Sequence, residues 1–151
     1  MDIMQKVFSL ALLVILNPLA YADERPCQTF MLTIQNYSSK PLTFTNIEPD
    51  PDISYTFIPA SRVIISGGEG KILAKVTAPQ GAVSLTADVS DGENKSVLSV
   101  NNPDRSKSDE HSLSFSGDGY EANLTNAEHY QNAGPTCLLL KSATITVKDS
   151  N

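Results

Sequence analysis

The sequence predicts a single all-β domain: an antiparallel β-sandwich of about ten short strands, with adjacent N- and C-terminal strands joined by a disulfide. Apolar and polar residues alternate along most of the chain, which is the pattern of half-buried strands. Turn signals rich in Gly, Pro and Asp separate these segments at short intervals, as they do in sandwich folds. Cys27 and Cys137, the only cysteines, precede the first strand and the last strands.

An export signal precedes the predicted domain. Residues 7–20 are almost entirely apolar and lead to Ala-Tyr-Ala at residues 20–22, which matches the cleavage site of a secretory signal peptide. The apolar run is shorter than the roughly 20 residues that a membrane helix needs, so we expect no transmembrane segment. Residues 1–22 are therefore predicted to be removed, leaving residues 23–151 as one secreted or periplasmic domain. The compact signal peptide favours a bacterial source.

The two cysteines are expected to pair, because the protein is directed to an oxidising compartment. A bridge that closes a loop of this length stabilises a fold by roughly 4 to 5 kcal/mol in the chain-entropy model. The C-x-x-C spacing of redox pairs is absent, which favours a structural bridge over a redox site. A disulfide between Cys27 and Cys137 would hold the two ends of the domain side by side.

Five predicted strands occupy the first half of the domain. In the first of them, Phe30, Leu32 and Ile34 share one face while polar residues occupy the other. The fifth strand alternates in the same way, with apolar residues between lysines. The other three are shorter or less regular. In chain order the five are residues 30–34, 42–47, 55–58, 63–66 and 72–76.

Five more predicted strands complete the sandwich. The clearest runs from Val83 to Val89, where aliphatic residues alternate with hydroxyl or acidic residues, and the hairpin signal Asp91-Gly92 follows it. The last three strands have apolar residues between serines, threonines and other polar residues. In chain order the five are residues 83–89, 97–101, 113–115, 120–124 and 145–147.

Two long polar segments, residues 101–111 and 126–136, interrupt the strand pattern. Loops of this length in a compact domain are functional or disordered, and a rigid β scaffold commonly presents binding residues on its loops. We therefore expect these two loops to form a binding surface. The candidate binding residues are Asp104, Arg105, Lys107, Asp109, Glu110, Glu128, His129 and Tyr130.

The two histidines of the chain each follow a glutamate, as Glu110-His111 and Glu128-His129. If the two loops converge, these four side chains could hold a metal ion or act as an acid/base pair. The H-E-x-x-H motif is absent, and the spacing between the two pairs imposes no geometry. The alternative interpretation is that both histidines are solvated loop residues.

No catalytic motif accompanies these features. Neither G-x-S-x-G nor S-x-x-K occurs, so we expect a protein that is not an enzyme and needs no cofactor. The net charge of −6 repels phosphate backbones and disfavours nucleic-acid binding.

The function that these features favour is that of an exported binding module. It would recognise a membrane lipid, a glycan or a protein surface through its polar loops. One alternative is a metal-binding protein or metal-dependent enzyme that uses the Glu-His pairs. The other is a structural subunit of a surface assembly, in which exposed edge strands pair between chains.

The order of features from residue 34 to residue 124 resembles the aegerolysins, a family of small β-sandwich proteins. The matching features are residues 34–38 (Ile-Gln-Asn-Tyr-Ser), the turn at residues 67–70, the Asp91-Gly92 hairpin, Asn102-Pro103 and a closing hairpin over residues 113–124. The resemblance implies a β-sandwich and a role in binding membrane lipids. Aegerolysins are typically rich in tryptophan, whereas this chain has none, so no aromatic lipid site carries over.

Overall fold

The computed structural model describes residues 27–77, 82–105, 110–131, 134 and 137–150. The predicted signal peptide, residues 1–22, lies outside the described residues, and so do Lys107 and Asp109 of the predicted binding loops.

Ten strands and no helix make up the regular structure of the described residues, which confirms the predicted all-β fold. In chain order the strands are β1 (Thr29–Asn36), β2 (Leu42–Pro49), β3 (Ile53–Ile58), β4 (Val63–Ile64), β5 (Glu69–Val76), β6 (Val83–Ser90), β7 (Lys95–Asn102), β8 (Ser112–Gly117), β9 (Tyr120–His129) and β10 (Leu140–Asp149).

The strands form two five-stranded sheets. The first sheet has the order β3-β5-β1-β10-β9, and the second sheet has the order β4-β2-β6-β7-β8. Every neighbouring pair is antiparallel except β1 and β10, which are parallel. No helix capable of crossing a membrane occurs in the described ranges.

The Cys27–Cys137 disulfide forms as predicted and joins the two ends of the domain. The two Cα atoms are 5.0 Å apart, although 110 residues separate the cysteines in the sequence. Because each cysteine lies just ahead of a strand, β1 and β10 leave the bridge side by side and in the same direction. This placement explains the parallel pair in an otherwise antiparallel fold.

The core lies between the two sheets and consists of the alternating apolar residues that the sequence indicates. Phe30, Leu32 and Ile34 of β1 are no more than 2% exposed. Phe44 of β2 and Phe57 of β3 are in ring contact across the sheets, with centroids 5.1 Å apart. This burial fixes the outer face of each strand, because a slip of one residue would turn every core side chain towards solvent.

The Asp91-Gly92 hairpin forms as predicted between β6 and β7. Gly92 has a φ of +98°, a conformation that glycine adopts without strain. The amides of Asn94 and Glu93 donate hydrogen bonds to Asp91 Oδ1 at 2.7 and 2.8 Å. These bonds lower the pKa of the Asp91 carboxyl, so the ionised form of this side chain stabilises the turn.

Strand β9 continues to His129, so the prediction of a loop beginning at residue 126 is wrong. The strand pairs only with β10, and a register shift between Thr144 and Ile145 interrupts that pairing. Most of its side chains are exposed, because β9 is the edge of the first sheet. Apolar and polar residues alternate from Tyr120 to Leu124, but the register shift leaves Thr125 unpaired and breaks this alternation, so the sequence does not show that the strand continues beyond it.

The other predicted loop begins later than its polar sequence indicates, because Asn101 and Asn102 belong to β7. The Asn102 side chain is fully buried. Its Nδ2 donates to the Leu140 carbonyl, and its Oδ1 accepts from the Leu140 amide, both at 2.9 Å. Since β10 begins at Leu140, this pair of hydrogen bonds joins the two sheets near the disulfide.

The sandwich is open along one side, where β8 and β9 lie. These two strands follow each other in the chain but form the edges of different sheets, and they do not pair with each other. Leu113 and Phe115 of β8 and Ala122 of β9 are only partly buried, and Leu124 of β9 is 44% exposed. Side chains that would be core in a closed sandwich therefore meet solvent here.

Candidate functional site

The predicted binding residues Asp104 and Arg105 support the disulfide end of the fold. Asp104 is fully buried and forms an isolated β-bridge with Leu138. The Arg105 amide donates to the carbonyl of Cys137 at 3.0 Å. The side chain of Asp104 therefore lies in the interior and does not contribute to an exposed loop surface. Glu110 does lie on the surface, just ahead of β8.

Glu128 and Tyr130, by contrast, line a large groove on the first sheet. The groove has a volume of about 870 Å³ and crosses the outer face of the first sheet from β3 to the end of β9. Its lining residues are Thr29, Phe30, Met31, Ser54, Tyr55, Thr56, Leu73, Ala74, Lys75, Glu128, Tyr130, Lys141 and Ser142.

Strand register assembles the floor of this groove. Across four neighbouring strands, Thr56 pairs with Leu73, Leu73 with Met31, and Met31 with Ser142. Glu128 of β9 extends the same row by pairing with Ser142. The floor thus has a short apolar centre, with Leu73 41% exposed, and hydroxyl groups on both sides of it. The arrangement suits a ligand with alternating apolar and polar surfaces.

Tyr130 forms one wall of the groove and is held in place by the backbone and by Thr29. Its hydroxyl donates to the Thr29 carbonyl at 2.6 Å and lies 3.0 Å from Thr29 Oγ1. Its amide donates to the Leu139 carbonyl at 3.2 Å. Because these contacts fix both ends of the residue, the ring is a rigid aromatic surface beside the floor. A wall of this kind loses little conformational entropy when a ligand stacks on it.

Two lysines give the groove a cationic character within an acidic protein. Lys75 and Lys141 are exposed, and neither ammonium forms an ion pair within the described part of the chain. Other lysines of the first sheet differ: Lys71 lies 3.8 Å from Glu69, and Lys148 lies 3.5 Å from a carboxylate of β9. The protein as a whole has a net charge of −6, so two lysines without an ion-pair partner in one groove differ from the acidic character of the rest of the chain.

A smaller recess adjoins the groove at the end of β9. It has a volume of about 610 Å³ and shares Glu128, Tyr130 and Lys141 with the groove. His129 and Gln131 line its far side. The predicted binding residues of the second polar segment therefore do lie together at one concave surface, although they come from a strand end and not from a loop.

The two histidines meet at the open side of the sandwich. The ring centroids of His111 and His129 are 6.1 Å apart, and the ring planes cross at 73°. Glu128 lines the groove on the outer face of the first sheet, whereas neither histidine does. No group of three or more ligating side chains that could hold a metal occurs among the residues with described positions. Among the described residues of the two polar segments, the histidine rings are in contact with each other.

No family model matches the sequence, and no curated protein matches it significantly. The resemblance to the aegerolysins therefore stays a prediction from the sequence. Sequence reasoning missed the groove residues Met31, Leu73, Lys75 and Lys141. The available signal was weak: Met31 and Leu73 are apolar residues on the otherwise polar faces of β1 and β5.

Proposed function

We propose that the protein is an exported, non-enzymatic binding module that holds an acidic carbohydrate chain in the groove of the first sheet. The observation that carries this proposal is the composition of the groove. Hydroxyl groups, an apolar centre, a fixed aromatic wall and two unpaired lysines occur together on one open, elongated surface.

Each of these elements has a counterpart in a carbohydrate. Sugar rings have apolar C–H faces that pack on aromatic and aliphatic side chains, as Tyr130 and Leu73 offer here. Their hydroxyls exchange hydrogen bonds with groups such as those of Thr29, Thr56 and Ser142. An open groove accepts a chain that continues beyond both ends, whereas an enclosed pocket would accept only a terminal unit.

The lysines select for acidic units. Lys75 and Lys141 are free to form ion pairs with carboxylate or sulfate groups of the ligand, because no protein carboxylate within the described residues lies within ion-pair distance of them. Long-range attraction would also raise the association rate at low salt. The groove is concave, and its one strongly exposed apolar side chain, Leu73, lies among hydroxyl and ammonium groups, which favours a carbohydrate over the surface of a lipid bilayer.

Binding to defined polymers tests the proposal. We expect the untagged mature domain to bind polygalacturonate or alginate in isothermal titration calorimetry, and to bind neutral dextran at least tenfold more weakly. Raising the salt concentration should weaken binding, since screening acts on exposed charges. Equal binding to dextran, or binding to phosphatidylcholine vesicles and to neither acidic polymer, would contradict the proposal.

A double lysine variant tests whether the groove, and not the total charge of the protein, determines binding. The double substitution Lys75→Gln and Lys141→Gln is expected to lower affinity for polygalacturonate about tenfold, because each lost exposed ion pair contributes up to about 1 kcal/mol. The matched control is Lys71→Gln with Lys148→Gln, which removes the same charge from the first sheet outside the groove. If the control variant loses as much affinity as the groove variant, net charge and not the groove determines binding.

A further inference from the structure

The histidine pair is a second chemical feature, separate from the groove floor. His111 and His129 are the only histidines of the chain, and they come from different sheets. Their rings nevertheless lie in edge contact, with centroids 6.1 Å apart.

Strand periodicity explains why the two rings meet. His111 lies two residues before Leu113 and so extends the interior-facing row of β8 past the start of that strand. His129 pairs with Leu140 and extends the interior-facing row of β9 at its last residue. Both rows end at the open side of the sandwich, where no strand pairing separates them. The histidines therefore face each other across the mouth between the two sheets.

Both imidazoles are available to a ligand. His129 is exposed and His111 is partly exposed. Neither ring has a hydrogen bond or an ion pair to the residues that the structure describes; the ring contact is their one described interaction. A neutral imidazole has one unprotonated nitrogen with a lone pair directed along the ring plane. Two such nitrogens on adjacent rings form a bidentate ligand set once the exposed side chains rotate to direct both lone pairs at one point.

We propose that His111 and His129 bind one divalent transition-metal ion between their rings, with Cu²⁺ preferred. Metal-to-imidazole bonds of about 2.0 to 2.1 Å place two rings on opposite sides of one ion at a separation close to the observed one. Imidazole nitrogen suits Cu²⁺, Ni²⁺ and Zn²⁺, and for a given nitrogen site the affinity is highest for Cu²⁺. Water would complete the coordination, because the described residues offer no third ligand.

Such an ion would join the two sheets at their unpaired edge strands. β8 and β9 do not pair, and His111 and His129 lie at the ends of these strands. Because the two-histidine arrangement exists only in the folded chain, an ion bound to it stabilises the folded state by mass action. The proposal thus predicts a rise in thermal stability with Cu²⁺ as well as metal binding itself, and it is independent of carbohydrate binding in the groove.

The test uses the untagged mature domain, so that no histidine tag contributes. We expect one Cu²⁺ per chain with micromolar affinity in isothermal titration calorimetry, weaker binding of Ni²⁺ and Zn²⁺, and a rise in melting temperature of several degrees. Electron paramagnetic resonance of the Cu²⁺ complex should show coupling to two imidazole nitrogens. A spectrum with oxygen ligands only would overturn the proposal without the use of any variant.

Single substitutions of each histidine, compared with a control substitution elsewhere on β9, test the position of the ion. His111→Gln and His129→Gln are each expected to weaken Cu²⁺ binding at least 30-fold and to abolish the rise in melting temperature. Neither side chain is buried, so both variants should keep the β-type circular dichroism spectrum. Glu121→Gln, an exposed change at the opposite end of β9, should bind Cu²⁺ like the wild type. Wild-type affinity in either histidine variant would place the ion elsewhere and overturn the proposal.

Discussion

Replacing Cys27 and Cys137 with serine is expected to lower the free energy of unfolding by roughly 4 kcal/mol while leaving the β-type circular dichroism spectrum unchanged. The bridge closes a loop of 110 residues, and in the chain-entropy model a loop of this size stabilises the fold by about 4.7 kcal/mol. The spectrum should persist because the buried rows of both sheets, and not the bridge, determine strand register. Guanidinium denaturation of the wild type and the double variant measures the difference.

Two controls make this result interpretable. Alkylation of the purified protein followed by mass spectrometry should find no free thiol in the wild type. Reduction of the wild type should lower stability by the same amount as the double substitution, because both remove one covalent link. Loss of the β spectrum in the double variant would mean that Cys27 and Cys137 direct folding, which contradicts the independence of register from the bridge.

The bridge also has a consequence for the proposed ligand groove. Thr29, which anchors Tyr130, lies two residues after Cys27, and Lys141 lies four residues after Cys137. The carbonyl of Cys27 accepts a hydrogen bond from the Leu138 amide at 3.0 Å. The disulfide therefore holds together the two strand starts that form one end of the groove. Reduction should weaken polysaccharide binding even at temperatures where the domain stays folded.

The period-two pattern was sufficient to predict most of the fold, because eight of its strands bury one face against the opposite sheet. β9 was underestimated for the same physical reason. Of its residues from Asn126 to His129 only Ala127 is partly buried, and the register shift at Thr125 interrupts the period-two pattern just before them. The parallel arrangement of β1 and β10 follows from the position of the cysteines, but alternation carries no information on strand direction.

The candidate site was harder to predict than the fold, since register and not sequence proximity assembles it. Met31 and Leu73 become neighbours only when β1 pairs with β5. Glu128 lines the groove, whereas the ring of His129 contacts His111 at the open side of the sandwich, although both residues border the recess at the end of β9. The sequence left open whether the two Glu-His pairs converge, and the structure brings together the two histidine rings.

Substituting Asn36 is expected to have an effect nearly as large as loss of the bridge. Asn36 ends β1 and is fully buried. Its Nδ2 donates to the carbonyls of Lys40 and Ile64, both at 2.9 Å, and to that of Ile65 at 3.2 Å. Its Oδ1 accepts from the amide and the hydroxyl of Ser38. One side chain thus forms hydrogen bonds with the backbone carbonyl and amide groups of two adjoining turns, one after β1 and one after β4.

The substitution Asn36→Asp keeps the shape of this side chain but removes its donor. The carbonyls of Lys40, Ile64 and Ile65 would then face a carboxylate that cannot donate to them, and a buried polar group left unsatisfied costs about 1 to 3 kcal/mol. We expect a loss of about 3 to 5 kcal/mol in the free energy of unfolding at pH 7. Urea denaturation monitored by circular dichroism measures this loss. Asn123→Asp, an exposed change on β9, is the matched control and should cost less than about 0.5 kcal/mol.

The loss should also depend on pH in a direction that identifies its cause. The Ser38 amide and hydroxyl still donate to one carboxyl oxygen of the Asn36→Asp variant, but burial and the three carbonyls that face the other oxygen raise the pKa of this carboxyl above its value in the unfolded chain. The folded state then binds a proton more tightly than the unfolded state, so stability relative to the wild type is best at low pH and falls as the pH rises through the raised pKa. A protonated carboxyl can again donate one hydrogen bond to a carbonyl of the turns, which is the physical origin of the recovery. A loss that is the same at pH 4 and pH 7, or no larger than that of Asn123→Asp, would show that the two turns hold without the Asn36 amide.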